Sequence, residues 1–226
     1  MTESFSCTDS FCMVLYTKSE LLGCYSTTIQ LGLPLVRLDV KHYHQPRKLY
    51  CVPTSVKMCL DCVCKTHKVK GLKVFSISKI AKITKTRDID GTPPRAVENM
   101  NVHLRKARPT ISFLYHEGSK FNEIEKEVNE KHLPVIVFLN PEKRYHPERP
   151  FTVLHAVVVI DYDPENHMVY FDDPEEENET TAVQSLEVGK FTRRWEWQKK
   201  WVQVLLSEGQ TYIHGFLEEG GIKRNE

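Results

Sequence analysis

The sequence predicts an α+β fold, with helices packed on an antiparallel sheet. Two observations carry that prediction. From about residue 52 to 133 the apolar residues recur mainly at helical spacing, whereas PVIVFLN, FTVLHAVVVIDYD and HMVYFDDP, further on, are short β-rich runs. Helices grouped first and strands grouped after them, without strict alternation, favour α+β over a parallel α/β arrangement. A third observation bounds the size: 226 residues suffice for one sizeable domain. No internal repeat or low-complexity segment interrupts the chain.

The elements follow in order. PLVRLDVKHYHQ (34–45) alternates at Val36, Leu38 and Val40 and reads as a strand. Residues 52–64 carry Val52, Val56, Cys59, Leu60 and Val63 on one helical face. GTPPRAVENMNVHLRKA starts a second helix, with Thr92 as cap and Pro93 in the first turn. GSKFNEIEKEVNEKHL starts a third, capped by Ser119 and ended before Pro134. The last two β runs meet at DPEN (163–166), a good turn, which predicts a hairpin pairing residue i with about 329 − i. That register brings His155 to the region of Asp173 and Pro174.

Composition excludes several functions. A 40% hydrophobic and 27% charged chain is an ordinary globular one, and a net charge of +1 draws in neither nucleic acid nor an anionic membrane. The basic run KTHKVKGLK (65–73) lacks interleaved aromatics to stack bases and reads as a solvated helix end. No apolar run is long enough to span a bilayer, and the N-terminal residues carry neither a basic nor an extended apolar leader region, so a cytoplasmic location is expected. No phosphate-cradling glycine-rich loop is present, and no cofactor is expected.

Seven cysteines, at 7, 12, 24, 51, 59, 62 and 64, are an odd number, and free thiols are the default reading. CLDCVCKTH offers Cys59, Cys62, Cys64 and His67 as zinc ligands. On a helix, however, Cys62 and Cys64 point nearly apart, and no second cysteine pair follows at metal-site spacing. Small thiols filling a core face are the simpler reading. His103, His116, His132, His146, His167 and His214 are scattered and read as surface residues, while His42 and His44 could line a cleft. Trp195, Trp197 and Trp201 read as packing residues.

Cys51 is different. It stands at the mouth of a predicted helix, where the positive end of the helix dipole stabilises a thiolate. A neighbouring imidazole can take and return its proton, and a carboxylate behind that imidazole fixes its tautomer. His155 and Asp173 fill those roles in the predicted hairpin, with Asp172 as the alternative carboxylate, although a strand-end histidine and a solvated acidic turn would look the same. Gln45, six residues before the thiol, can donate to a developing oxyanion beside the Cys51 amide.

LDVKHYHQ…CVPTSVKM, HAVVVIDYD and MVYFDDP together resemble the C39-like cysteine peptidases of the papain-like superfamily, over roughly residues 36–205. The resemblance implies a papain-like α+β domain over 36–226, a triad of Cys51, His155 and Asp173, and Gln45 at the oxyanion hole. SLEVGKFTRRWEW (185–197) is similar to the family's closing helix. Residues 1–35 have no counterpart and are expected to form an N-terminal extension or part of the substrate cleft. The family usually has glycine after the nucleophile, where this chain has Val52. The expected activity is hydrolysis of a peptide or protein substrate. Acyl transfer to an amine, a non-catalytic peptide-binding domain and a zinc-bound structural protein remain as alternatives.

Overall fold

The computed structural model describes residues 37–72, 75–140, 154–195 and 199–207. The predicted N-terminal extension, Trp197, His146 and His214 lie outside them. Apolar spacing on the first helix builds α1 (Cys51–Thr66), and Ser76 caps α2 (Ile77–Ile83), a helix not anticipated from the sequence. A 3₁₀ turn (Pro94–Met100) runs into α3 (Asn101–Leu104), and β1 (Thr110–His116) follows. Next come α4 (Phe121–Glu125), continued as a π turn (Lys126–Glu130), then β2 (Val135–Leu139), β3 (His155–Asp163) and β4 (Met168–Asp172). One turn of α5 (Glu179–Ala182), β5 (Val183–Glu187), α6 (Val188–Trp195) and β6 (Trp201–Ser207) complete the described residues.

The strands form one antiparallel six-stranded sheet in the order β1-β6-β2-β3-β4-β5. The α+β class is therefore as predicted, but β1, β5 and β6 were not anticipated, and β1 sits among the helices. In β3 every residue after His155 is buried, because helices cover both faces of the sheet. α1 lies against β2 and β3, and α6 against β2, β4 and β5. Asp172 is close to Cys59 of α1, while its neighbour Phe171 packs on Phe191 of α6. Successive residues of a strand face opposite ways, so the two helices lie on opposite faces.

Five local expectations are corrected. Residues 37–45 form no strand: the Leu38 and Gln45 amides donate to the Ile160 and Pro174 carbonyls at 3.1 and 2.7 Å, and the side chains of His42, Tyr43 and His44 make further contacts. Thr92 does not cap its helix; its hydroxyl bonds that of Thr86 at 2.6 Å, and the first helical turn begins after Pro93. Ser119 is likewise not a cap, since Lys120 holds that place and its N–H donates to the Glu123 carboxylate. The β3–β4 hairpin forms with the Asp163 carboxylate accepting from the Glu165 and Asn166 amides. Its register differs slightly: Val158 pairs with Asp172, one residue beyond the predicted partner, and Asp161 with Tyr170, two beyond. The offset is set at the turn, and the irregularity at Ile160 accounts for the one-residue difference between the two pairings. In the segment read as a closing helix, Ser185–Glu187 belong to β5, and the helix runs from Val188 to Trp195.

Trp195 and Trp201 are core residues, as read from the sequence. His116, expected at the surface, stacks on Trp201 with ring centroids 4.5 Å apart. No helix among the described residues is long and apolar enough to cross a membrane.

Gly71 has φ +75°, and a Cβ there would stand 2.6 Å from the Lys106 carbonyl oxygen. Both the left-handed backbone and the clash oppose any side chain. Gly71→Ala should lower stability by about 2 kcal/mol or more, read as a lower urea midpoint with an unchanged slope.

Candidate active site

Cys51 is the first residue of α1, and the amides of a helix's first turn have no partners within the helix. One turn further, the Ser55 hydroxyl donates to the Ala156 carbonyl at 3.4 Å. That contact docks the head of α1 on the start of β3, where His155 is the first residue. Leu49, just before the thiol, is a buried non-glycine residue at φ 68°, so the turn into α1 holds a strained left-handed residue. Val52 is buried in the core cluster, turned in among the apolar residues.

His155 Nε2 lies 2.6 Å from Asp173 Oδ1. An ionised carboxylate only accepts, so Nε2 carries the hydrogen, and Nδ1 is the nitrogen left for the thiol. Burial works against a charge on His155, but hydrogen bonds to Asp173 and to the Cys51 thiol, and their negative charges, outweigh it and push the imidazole up to about 10. Asp173 moves the other way. Burial would raise it, yet the His155 hydrogen bond and charge, the Glu175 amide and the Arg194 charge hold it below the usual carboxylate range. Its backbone is pinned as well: Asp173 N–H donates to Ala182 at 3.0 Å, and its Oδ1 accepts from Glu175 N at 2.9 Å.

Gln45 is buried, and its N–H donates to the Pro174 carbonyl at 2.7 Å, next to Asp173. Its side-chain Oε1 is buried with no hydrogen-bond partner. The structure sets His155 against Asp173 and within hydrogen-bond reach of Cys51, and ties the Gln45 backbone to Pro174, the residue after Asp173. Asp172, the alternative carboxylate, is not on His155. It meets His42, whose Nδ1 is 2.7 Å from Asp172 Oδ1. The sequence reading placed His42 on a cleft wall and missed this pairing; the only hint was a histidine three residues before Gln45.

The other thiols of α1 are chemically quiet. Burial, together with the charges of Cys62 and Asp172, raises Cys59 well above its ordinary value. Cys62 is pushed up to about 11, chiefly by burial. Among the described residues no group of three or more His, Cys, Asp or Glu side chains could hold a metal ion. Tyr43 donates its hydroxyl to Asp61 of α1 at 2.6 Å, and burial and that carboxylate raise it to about 12.

A thiol, an imidazole and a carboxylate in hydrogen-bonded series are the groups that thiol acyl-transfer chemistry uses. The Peptidase_C39 like family model matches residues 37–201, which contain all three and Gln45. A crystal structure of a Bacillus anthracis protein assigned as a C39-like peptidase superposes with a TM-score of 0.55 at 16% identity, covering 77% of this chain and 98% of that one. That likeness is one of fold. No curated protein matches the chain.

The raised His155 and lowered Asp173 have opposite consequences for stability. Because the folded His155 titrates above its unfolded value of about 6.5, its contribution is full below that pH and is lost as pH rises through about 10. Because the folded Asp173 titrates below about 3.9, its contribution is present above that pH and is lost as pH falls. Asp173→Ala should therefore destabilise by about 3 kcal/mol at pH values from about 4 to 6.5, with the gap to wild type narrowing on both sides. Urea unfolding of both proteins across pH measures it.

Proposed function

The chain belongs to the Peptidase_C39 like family, and from that premise we propose that it is a thiol-dependent peptidase working through Cys51. One observation supports the reading above the others: the His155–Asp173 hydrogen bond leaves His155 Nδ1 for the thiol at the head of α1. In this scheme His155, raised to about 10, already holds the Cys51 proton as an imidazolium, and the thiolate attacks the carbonyl carbon of a peptide bond, forming the C–S bond. The carbonyl electron pair moves to oxygen, where the Cys51 amide and Gln45 stabilise it. The C–N bond then breaks as His155 returns its proton to the leaving amine. Water, deprotonated by His155, attacks the thioester and frees the acid and the thiol. Asp173 holds the imidazole in one tautomer throughout.

The substrate is a peptide or protein chain. Val52 does not oppose this role, since its side chain is buried within the core cluster.

Two measurements test the proposal. Cys51 should be alkylated by iodoacetamide at neutral pH much faster than Cys59 or Cys62, and His155→Ala should abolish that advantage; equal rates in the two proteins would refute the pair. Against a peptide library read by mass spectrometry, Cys51→Ala should be inactive. Gln45→Ala should lose about 100- to 1000-fold in kcat with little change in KM, as for one oxyanion donor. An added amine captured in place of water would instead mark a transferase.

A further inference from the structure

His42 and Asp172 stand outside the Cys51–His155–Asp173 group, yet their side chains are only 7% and 1% exposed. The imidazole is gripped on both sides. Its Nδ1 is 2.7 Å from Asp172 Oδ1, and its Nε2 is 3.0 Å from the Glu176 carbonyl oxygen. A carbonyl oxygen only accepts, so Nε2 must carry hydrogen. A neutral ring then presents a lone pair at Nδ1, and an ionised Asp172 facing it would be a second acceptor. Two acceptors 2.7 Å apart repel unless a proton lies between them. The contact therefore requires one proton more than a neutral imidazole and an ionised carboxylate hold between them. Burial favours keeping it: the Asp172 carboxyl is raised by desolvation, even against the lowering effect of His42.

We infer that His42 is a positioning residue, and that the proton it shares with Asp172 clamps the segment carrying Gln45 onto the turn carrying Asp173. His44 Nδ1 reaches the same Glu176 carbonyl at 3.2 Å, and Gln45 N–H reaches Pro174 at 2.7 Å, so the clasp runs directly into the active-site residues. Other titratable groups face the pair: Cys59 from α1, Asp173 beyond β4, Glu179 from α5 and His44 on the segment itself. The link to catalysis rests on the peptidase reading given above; the clasp itself does not.

The test is a pH titration by NMR of the full chain, isotope-labelled in histidine and glutamine, in wild type and Asp172→Asn. The substituted amide can donate to Nδ1 while Nε2 still donates to Glu176, which keeps the contact without the extra proton. In wild type the His42 ring should lose a strongly hydrogen-bonded proton as pH rises, with the Gln45 amide resonances moving in step. In Asp172→Asn the Gln45 resonances should no longer follow that titration. Gln45 resonances that titrate equally in both proteins would assign the effect to the surrounding groups and overturn the inference. So would a wild-type His42 ring with no hydrogen on Nε2, a result that does not depend on the variant folding. None of these readouts uses turnover, so an inactive protein would sink the peptidase proposal while leaving the clasp standing.

Discussion

The docking of the head of α1 on the first residues of β3 is the contact on which the rest of the site depends. β3 is buried on both faces after His155, so its path is set by the core and cannot drift. α1 is buried along Cys51–Leu60 and packs against that strand, and the Ser55–Ala156 hydrogen bond holds the two elements together at the site's end. A thiol on one element and an imidazole on the other are then neighbours because both elements are rigid. Neither side chain needs a loop to hold it.

The carboxylate side of the site uses a different device. Asp172 and Asp173 are consecutive, and the pleat sends them to different partners, His42 and His155. One histidine–carboxylate pair belongs to the proposed catalytic group, and the other ties down the chain that enters it. Residues 37–45 gain little from the sheet, so side-chain bonds from His42, Tyr43 and His44, with the Gln45 amide, hold them in place. Buried polar contacts of this kind specify one geometry, because leaving any of them unmade strands a buried donor or acceptor.

The same contrast explains which elements could be read from sequence. α1, β2, β3 and β4 are strongly patterned, although α1 also buries Thr54, Ser55 and Lys57, which its apolar periodicity does not mark. β5 alternates between exposed and half-buried residues at the edge of the sheet, and β1 and β6, seven residues each, mix buried with half-buried positions. The stretch 34–45 misled because Leu38 and Val40 imitate a strand's alternation, while the hydrogen bonds that would define a strand are absent over 37–45. Thr92 and Ser119 failed as caps because other partners or neighbouring residues took those positions.

By itself the sequence determined the fold class, the helix that carries Cys51, and the hairpin that brings His155 near the Asp172–Asp173 pair. These rest on local signals: period, turn residues and the chemistry of side chains at element ends. Only the tertiary structure decided which aspartate meets which histidine, that His42 is buried in a second pair, and that Val52 faces the core. A one-residue change of register exchanges the faces of a strand, and a bulge at Ile160 alters that register without leaving a local mark in the sequence. Contacts between residues 130 positions apart, such as His42 and Asp172, arise only when the whole sheet has formed.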